Sequence, residues 1–226
     1  MKVIENKGQK KWKHYDNDFR IGVDYSVVFE ITISSLPWNN LLQQLGYSQN
    51  TEGERHFFTK RAVLIEFQDS TIFFHFDPAM TTHDSRIDEM VSILNHCWTL
   101  FPQPPKSVAL CSANSYVLNN YQDTKAYQKE CIGYFFQQMD GEESAIIASS
   151  ANDFFSLLDI TFEKGDDNKG FLTFFVTSSL KNSSGTMLDS VERVKNCLEQ
   201  LRKENYQAWR AVVSNKILRV MEGGNQ

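Results

Sequence analysis

The sequence predicts an α+β protein, an antiparallel sheet packed by helices, and three observations carry that prediction. Strand-length segments with period-two alternation come in hairpin pairs, and two apolar stripes repeat at helical spacing. The strands also occur in runs, instead of alternating one by one with helices, which disfavours a doubly wound parallel sheet.

Residues 1–20 read as a flexible basic amino-terminal segment, lysine-rich and without the apolar stretch that a signal peptide needs. From Ile21 to Ile33 the chain alternates, with Val23, Tyr25, Val27, Phe29, Ile31 and Ile33 on one side, which reads as a long strand. Ser35-Leu36-Pro37 then opens a short helix, because a Ser cap and a Pro in the first turn suit amides that have no helical partner. Trp38, Leu41, Leu42 and Leu45 share one face of that helix, and Gly46 closes it.

His56 to Phe67 and Thr71 to Phe76 read as two strands joined at Gln68-Asp69-Ser70, a hairpin. Ser85 and Asp88 have capping-box spacing and open a helix that runs to Phe101. Its stripe is Ile87, Val91, Leu94, Trp98 and Phe101, and Pro102, Pro104 and Pro105 stop it. Lys106 to Leu118 is a further strand, and Tyr121 to Gln138 reads as a short helix running into a strand at Ile132 to Phe136. Phe154 to Glu163 and Phe171 to Ser178 form a hairpin around the turn-rich stretch Gly165 to Gly170. A last helical face runs through Leu188, Val191, Val194, Leu198 and Leu201 and resumes at Trp209, Val213, Ile217 and Val220, as one long helix or two with a break near Asn205.

Hairpin-then-helix therefore occurs twice. The domain spanning residues 21–226 reads as a topological duplication, two similar halves meeting near residues 119–150 without residue-level identity.

Composition narrows the function classes. With 226 residues, 41% of them hydrophobic, and 17 Phe, the chain can bury a sizeable core. Its 28 acidic against 23 basic residues give a net charge of -5, so no global positive field draws it to phosphate backbones. Cys97, Cys111, Cys131 and Cys197 form no paired motif and read as reduced thiols. Apolar runs are strand-length, so the expected compartment is the cytoplasm, with no membrane partner. No cofactor is expected, since the sequence carries no phosphate loop, dinucleotide fingerprint or zincin motif.

Four groups of residues are candidates for function. His75 and Asp77, two apart on a strand, with His83 and Asp84 on the following loop, could converge on a divalent ion; turn chemistry before Pro78 and capping of the next helix explain the same residues without one. Lys10, Lys11, Trp12 and Lys13 mix charge and a stacking ring in the manner of single-strand nucleic-acid binders, against an acidic total that weakens their field. Tyr206, Trp209, Arg210, Val213 and Ile217 on the last helix have the composition of an interface hot spot, or are simply a core-facing stripe. Cys111-Ser112 at a strand, and Cys97 beside His96, invite a nucleophile reading, but no base can be assigned to Ser112 and adjacent helical side chains diverge.

No catalytic motif is present, and the leading expectation is a non-enzymatic intracellular binding protein, a subunit, inhibitor or adaptor with a protein partner or a second copy of itself. The alternatives are a metal-dependent hydrolase or nuclease built on His75, Asp77, His83 and Asp84, and a nucleic-acid binder led by the basic amino-terminal segment.

Overall fold

The computed structural model describes residues 3–4, 22–33, 36–52, 55–118, 145–150, 153–164, 170–181 and 185–214. Along the chain these form β1 (Val3–Ile4), β2 (Gly22–Val28), α1 (Trp38–Gln44), β3 (Ser48–Glu52), β4 (Arg55–Lys60), β5 (Val63–Gln68), β6 (Thr71–Phe76), α2 (His83–Cys97), β7 (Ser107–Leu118), β8 (Ala145–Ser150), β9 (Phe154–Lys164), β10 (Gly170–Leu180) and α3 (Val191–Ser214). The class is α+β, and the strands lie in one antiparallel sheet of order β3-β4-β5-β6-β2-β7-β10-β9-β8. Strand β1 pairs with Val117 and Leu118 at the far end of β7, along the same edge that β2 occupies from Ser107 to Ala113.

Tight turns set the left wing of this sheet. Lys60 pairs with Val63 and Gln68 with Thr71, so β4, β5 and β6 are joined by two-residue loops. Arg61 and Asp69 take left-handed backbone angles there, φ 52° and 45°. Asp tolerates that conformation and the hairpin at Gln68-Asp69-Ser70 was legible from it. Arg61 gives no such signal, and the stretch His56 to Phe67, read as one strand, is in fact two.

The expected strand Ile21 to Ile33 is also shorter. Strand β2 ends at Val28 because its neighbour β6 begins at Thr71. Beyond that point Phe29 and Ile33 donate to the carbonyls of Ser70 and Asp69 at 2.8 and 2.7 Å, which satisfies the backbone without a ladder. Helix α1 starts at Trp38 with Pro37 as its cap and no side-chain cap bond; Ser35, the expected cap, lies outside the described residues. Gly46 closes the turn with φ +82°, where only glycine is unstrained. The cap of α2 lies one turn ahead of the expected Ser85–Asp88 box: the Thr82 amide donates to Ser85 Oγ at 2.9 Å and the Ser85 amide to Thr82 Oγ1 at 3.2 Å. Strands β3 and β8 are additions to the sequence reading. Helix α3 runs unbroken through Asn205, and the expected helix and strand within 121–138 lie outside the described residues.

The core fills one side of the sheet. Tyr25, Phe74, Ile72 and Ile65 from the strands meet Ile87, Met90, Ile93 and Leu94 of α2, all 3% exposed or less. Burying each such side chain contributes roughly 1.5–3 kcal/mol. Trp38 of α1 stacks on Phe67, ring centres 4.1 Å apart, and its indole donates to the Ile33 carbonyl at 2.9 Å. Arg86, fully buried at the start of α2, donates to Thr81 Oγ1 and to the Thr81 carbonyl, both at 2.8 Å, and so ties the loop after β6 to the helix. Desolvation pulls its pKa down. Tyr47 and Lys60 both bind Glu89 Oε1, at 2.6 and 3.1 Å, joining α2 to the β3–β4 hairpin.

Beneath α3 the contact is mixed: Val194, Leu198 and Leu201 join the apolar core, and further along the helix Asn205 and Trp209 carry a polar contact. Ser112 donates to Asn205 Oδ1 at 2.6 Å and accepts from Trp209 Nε1 at 2.7 Å. The Asn205 amide donates to the Val176 carbonyl at 2.9 Å and to Ser178 Oγ at 3.3 Å, and Ser178 bonds Ser156 at 2.6 Å. All of these residues are at most 1% exposed. Two positions beyond Ser112, Asn114 is equally buried, and among the described residues neither its amide nitrogen nor its oxygen has a partner.

Candidate functional site

Strand alternation sends every second side chain to the side of the sheet away from α1, α2 and α3. These helices all bind the face that carries Tyr25, Ser112 and Ser178. No described helix lies on the other. Antiparallel register lines that open face with cross-strand rows. One row runs Leu64, His75, Asp24, Cys111, Thr177, Leu157. The next runs Phe57, Glu66, Phe73, Ser26, Ala109, Ser179, Phe155. All are half-buried, as expected for central strands with no described helix over them.

At the centre of this face His75 Nδ1 lies 2.9 Å from Asp24 Oδ1, and Nε2 lies 3.8 Å from Glu66 Oε2. The imidazole stacks on Phe73, centroids 6.2 Å apart and planes inclined by 14°. The hydrogen bond with Asp24 raises the His75 pKa, and it outweighs the opposing desolvation. An Asp–His pair with this geometry orients a general base in many hydrolases. Here Nε2 faces a carboxylate instead of a hydroxyl or thiol, so the pair has no nucleophile to activate. The two carboxylates sit on opposite edges of the ring and cannot bind one ion together with a single imidazole nitrogen.

The four residues expected to gather around a metal are therefore dispersed. His75 belongs to the open face, while Asp77 lies past the end of β6, where its carboxylate accepts from the Ala79 amide at 2.8 Å. Asp84 binds Arg202 of α3 at 2.7 Å, and His83 occupies the first turn of α2. Among the described residues no group of three or more His, Cys, Asp or Glu could hold a metal ion. The expected turn chemistry accounts for Asp77, whereas Asp84 does not cap α2 but pairs with α3, the cap being Thr82 with Ser85.

The other candidates separate in the same way. Trp209 is 1% exposed and bonded to Ser112, so it is a core residue and cannot anchor a partner at the surface. Tyr206, 46% exposed, and Arg210 project from the outer side of α3. The side chain of Val213, all of Ile217, and Lys10, Lys11, Trp12 and Lys13 lie outside the described residues. Ser112 is held by two hydrogen bonds in the core. Cys97 donates to the Ile93 carbonyl at 3.0 Å, and burial pushes its thiol up to about 12; His96 faces Gln44. Neither pair is a nucleophile and base.

No helix among the described residues is long and apolar enough to cross a membrane. No protein-family model matches the chain, and no curated protein matches it either.

Proposed function

We propose that this chain is a non-enzymatic binding protein, a subunit, inhibitor or adaptor inside the cell, which takes another polypeptide onto the open face of its sheet. The observation that carries this reading is the open face itself: half-exposed Phe57, Phe73, Phe155 and Leu157 without a described helix over them. Aromatic residues concentrated on a flat surface have the composition of interface cores. The acidic groups among them, Asp24, Glu66 and Asp159, disfavour a phosphate backbone and so weaken the nucleic-acid alternative. Dispersal of His75, Asp77, His83 and Asp84 removes the support for a metal-dependent hydrolase.

Sizing of the protein purified from its native cells tests the proposal. A complex larger than the monomer is expected, and Phe73→Ser with Leu157→Ser should release the partner while circular dichroism stays native. Tyr206→Ala with Arg210→Ala, on the opposite side of the molecule, should not. A monomeric native protein, or a folded Phe73→Ser/Leu157→Ser variant that keeps its partner, overturns the reading; release by the Tyr206/Arg210 pair instead moves the interface to α3.

A further inference from the structure

If the open face docks a polypeptide, its charge states what that polypeptide brings. We infer that the partner seats a lysine or arginine side chain between Asp24 and Glu66, in the place that His75 fills in the free protein, with aliphatic neighbours lying on Phe73 and Leu64. This inference rests on the docking role of the open face and adds the chemistry of the occupant.

Among the described side chains, the charges at this spot are one-sided. Facing His75 are Asp24 from β2 and Glu66 from β5, and beyond Asp24 in the same row stands the Cys111 thiol of β7, whose pKa burial raises. The Gln68 side-chain amide donates a neutral hydrogen bond to Glu66 Oε1 at 2.8 Å. No Lys or Arg stands in the described rows around it. Glu66 is only 14% exposed, and a carboxylate that is largely desolvated favours a cation beside it. Imidazole, a weak base, supplies that charge only when protonated, whereas a guanidinium or ammonium supplies it at any physiological pH. The Phe73 ring, on which the imidazole stacks in the free protein, adds a π face on which such a cation also gains. Metal is the poorer occupant because the groups do not converge, and an anion is repelled. In acid the imidazolium competes for the same two carboxylates, so docking should weaken there.

The test uses the full chain and a fluorescent, capped peptide of alternating Lys and Leu, with alternating Glu and Leu as the control, read by anisotropy. Binding of the Lys peptide alone is expected, tighter at pH 8 than at pH 6, with Asp24→Asn plus Glu66→Gln weakening it about tenfold. His75→Gln should remove the pH dependence. Asp189→Asn plus Glu192→Gln makes the same change in net charge at the start of α3 and should leave affinity within about twofold. Equal losses from the two acidic pairs would reduce the effect to net charge and overturn the inference. If Phe73→Ser abolishes binding while the Asp24/Glu66 pair does not, the cation seat falls and the docking face stands. If neither variant matters, both fall.

Discussion

The two helices that cover the sheet are held by different physics. Under α2 the interface is mostly apolar: Met90, Ile93 and Leu94 meet Tyr25, Ile72 and Phe74, with the buried Arg86 in its first turn and Glu89 as its polar contacts. Under α3 a chain of hydrogen bonds through Ser156, Ser178, Asn205, Ser112 and Trp209 runs across β9, β10 and β7. Hydrogen bonds are directional, and leaving one buried partner unsatisfied costs about 1–3 kcal/mol. The polar contact therefore adds a directional constraint on α3 to the apolar burial of Val194, Leu198 and Leu201, whereas α2 rests mainly on apolar burial.

Substitutions can break that contrast. Trp209→Ala should have the largest effect, about 3–5 kcal/mol in urea unfolding, because it empties a buried ring site and strips Ser112 of a donor. Leu94→Ala under α2 should cost about 2–5 kcal/mol by cavity formation alone. Asn205→Leu should cost about 2–3 kcal/mol even though it adds apolar surface, since it strands the Ser112 hydroxyl and removes a donor from the Val176 carbonyl and Ser178. Asn114→Leu sharpens the rule by reversing the sign. Its amide has no partner among the described residues to lose, so stability should rise by about 1 kcal/mol; a loss as large as that of Asn205→Leu would mean that Asn114 belongs to the network after all.

The smallest effect lies on the open face. The pKa of His75 is raised on folding, so the stability it contributes is complete below the ordinary imidazole value and is lost as pH rises through the folded one. At a site this exposed the amount is under about 1 kcal/mol. Wild type should lose that margin between mildly acidic and mildly alkaline buffer relative to His75→Gln, and parallel curves would show that the ion pairs with Asp24 and Glu66 are not formed in solution.

The same contrast explains what could be read without a structure. Apolar periodicity reports burial, so the α2 stripe Ile87, Val91 and Leu94, the β9–β10 hairpin and the fold class were all legible. Asn205 looked like a break in α3 because its polarity interrupts the stripe, but its partners on β7 and β10 are far away in sequence and leave no local trace. Glu66 was within reach: with Asp69-Ser70 as a two-residue turn, register arithmetic places Glu66 opposite Phe73, diagonal to His75. Asp24 was not, because no turn connects β2 to β6 and its register is set only by tertiary pairing. The metal proposal chose sequence neighbours of His75 where the sheet supplies cross-strand ones.

The placement of β2 has a kinetic consequence. It precedes β3, β4, β5 and β6 in the chain, yet it sits between β6 and β7. Strands β4 to β6 can zip through two-residue loops, with almost no closure entropy, whereas β2 must close a loop that contains the whole of that meander before either of its seams forms. During refolding, amides of β4 to β6 should gain protection from exchange before those of β2. Until that happens both flanks of the sheet's central position are open, so misassembly should be most frequent in the interval before β2 inserts, and a variant that slows this one step should aggregate without being less stable once folded.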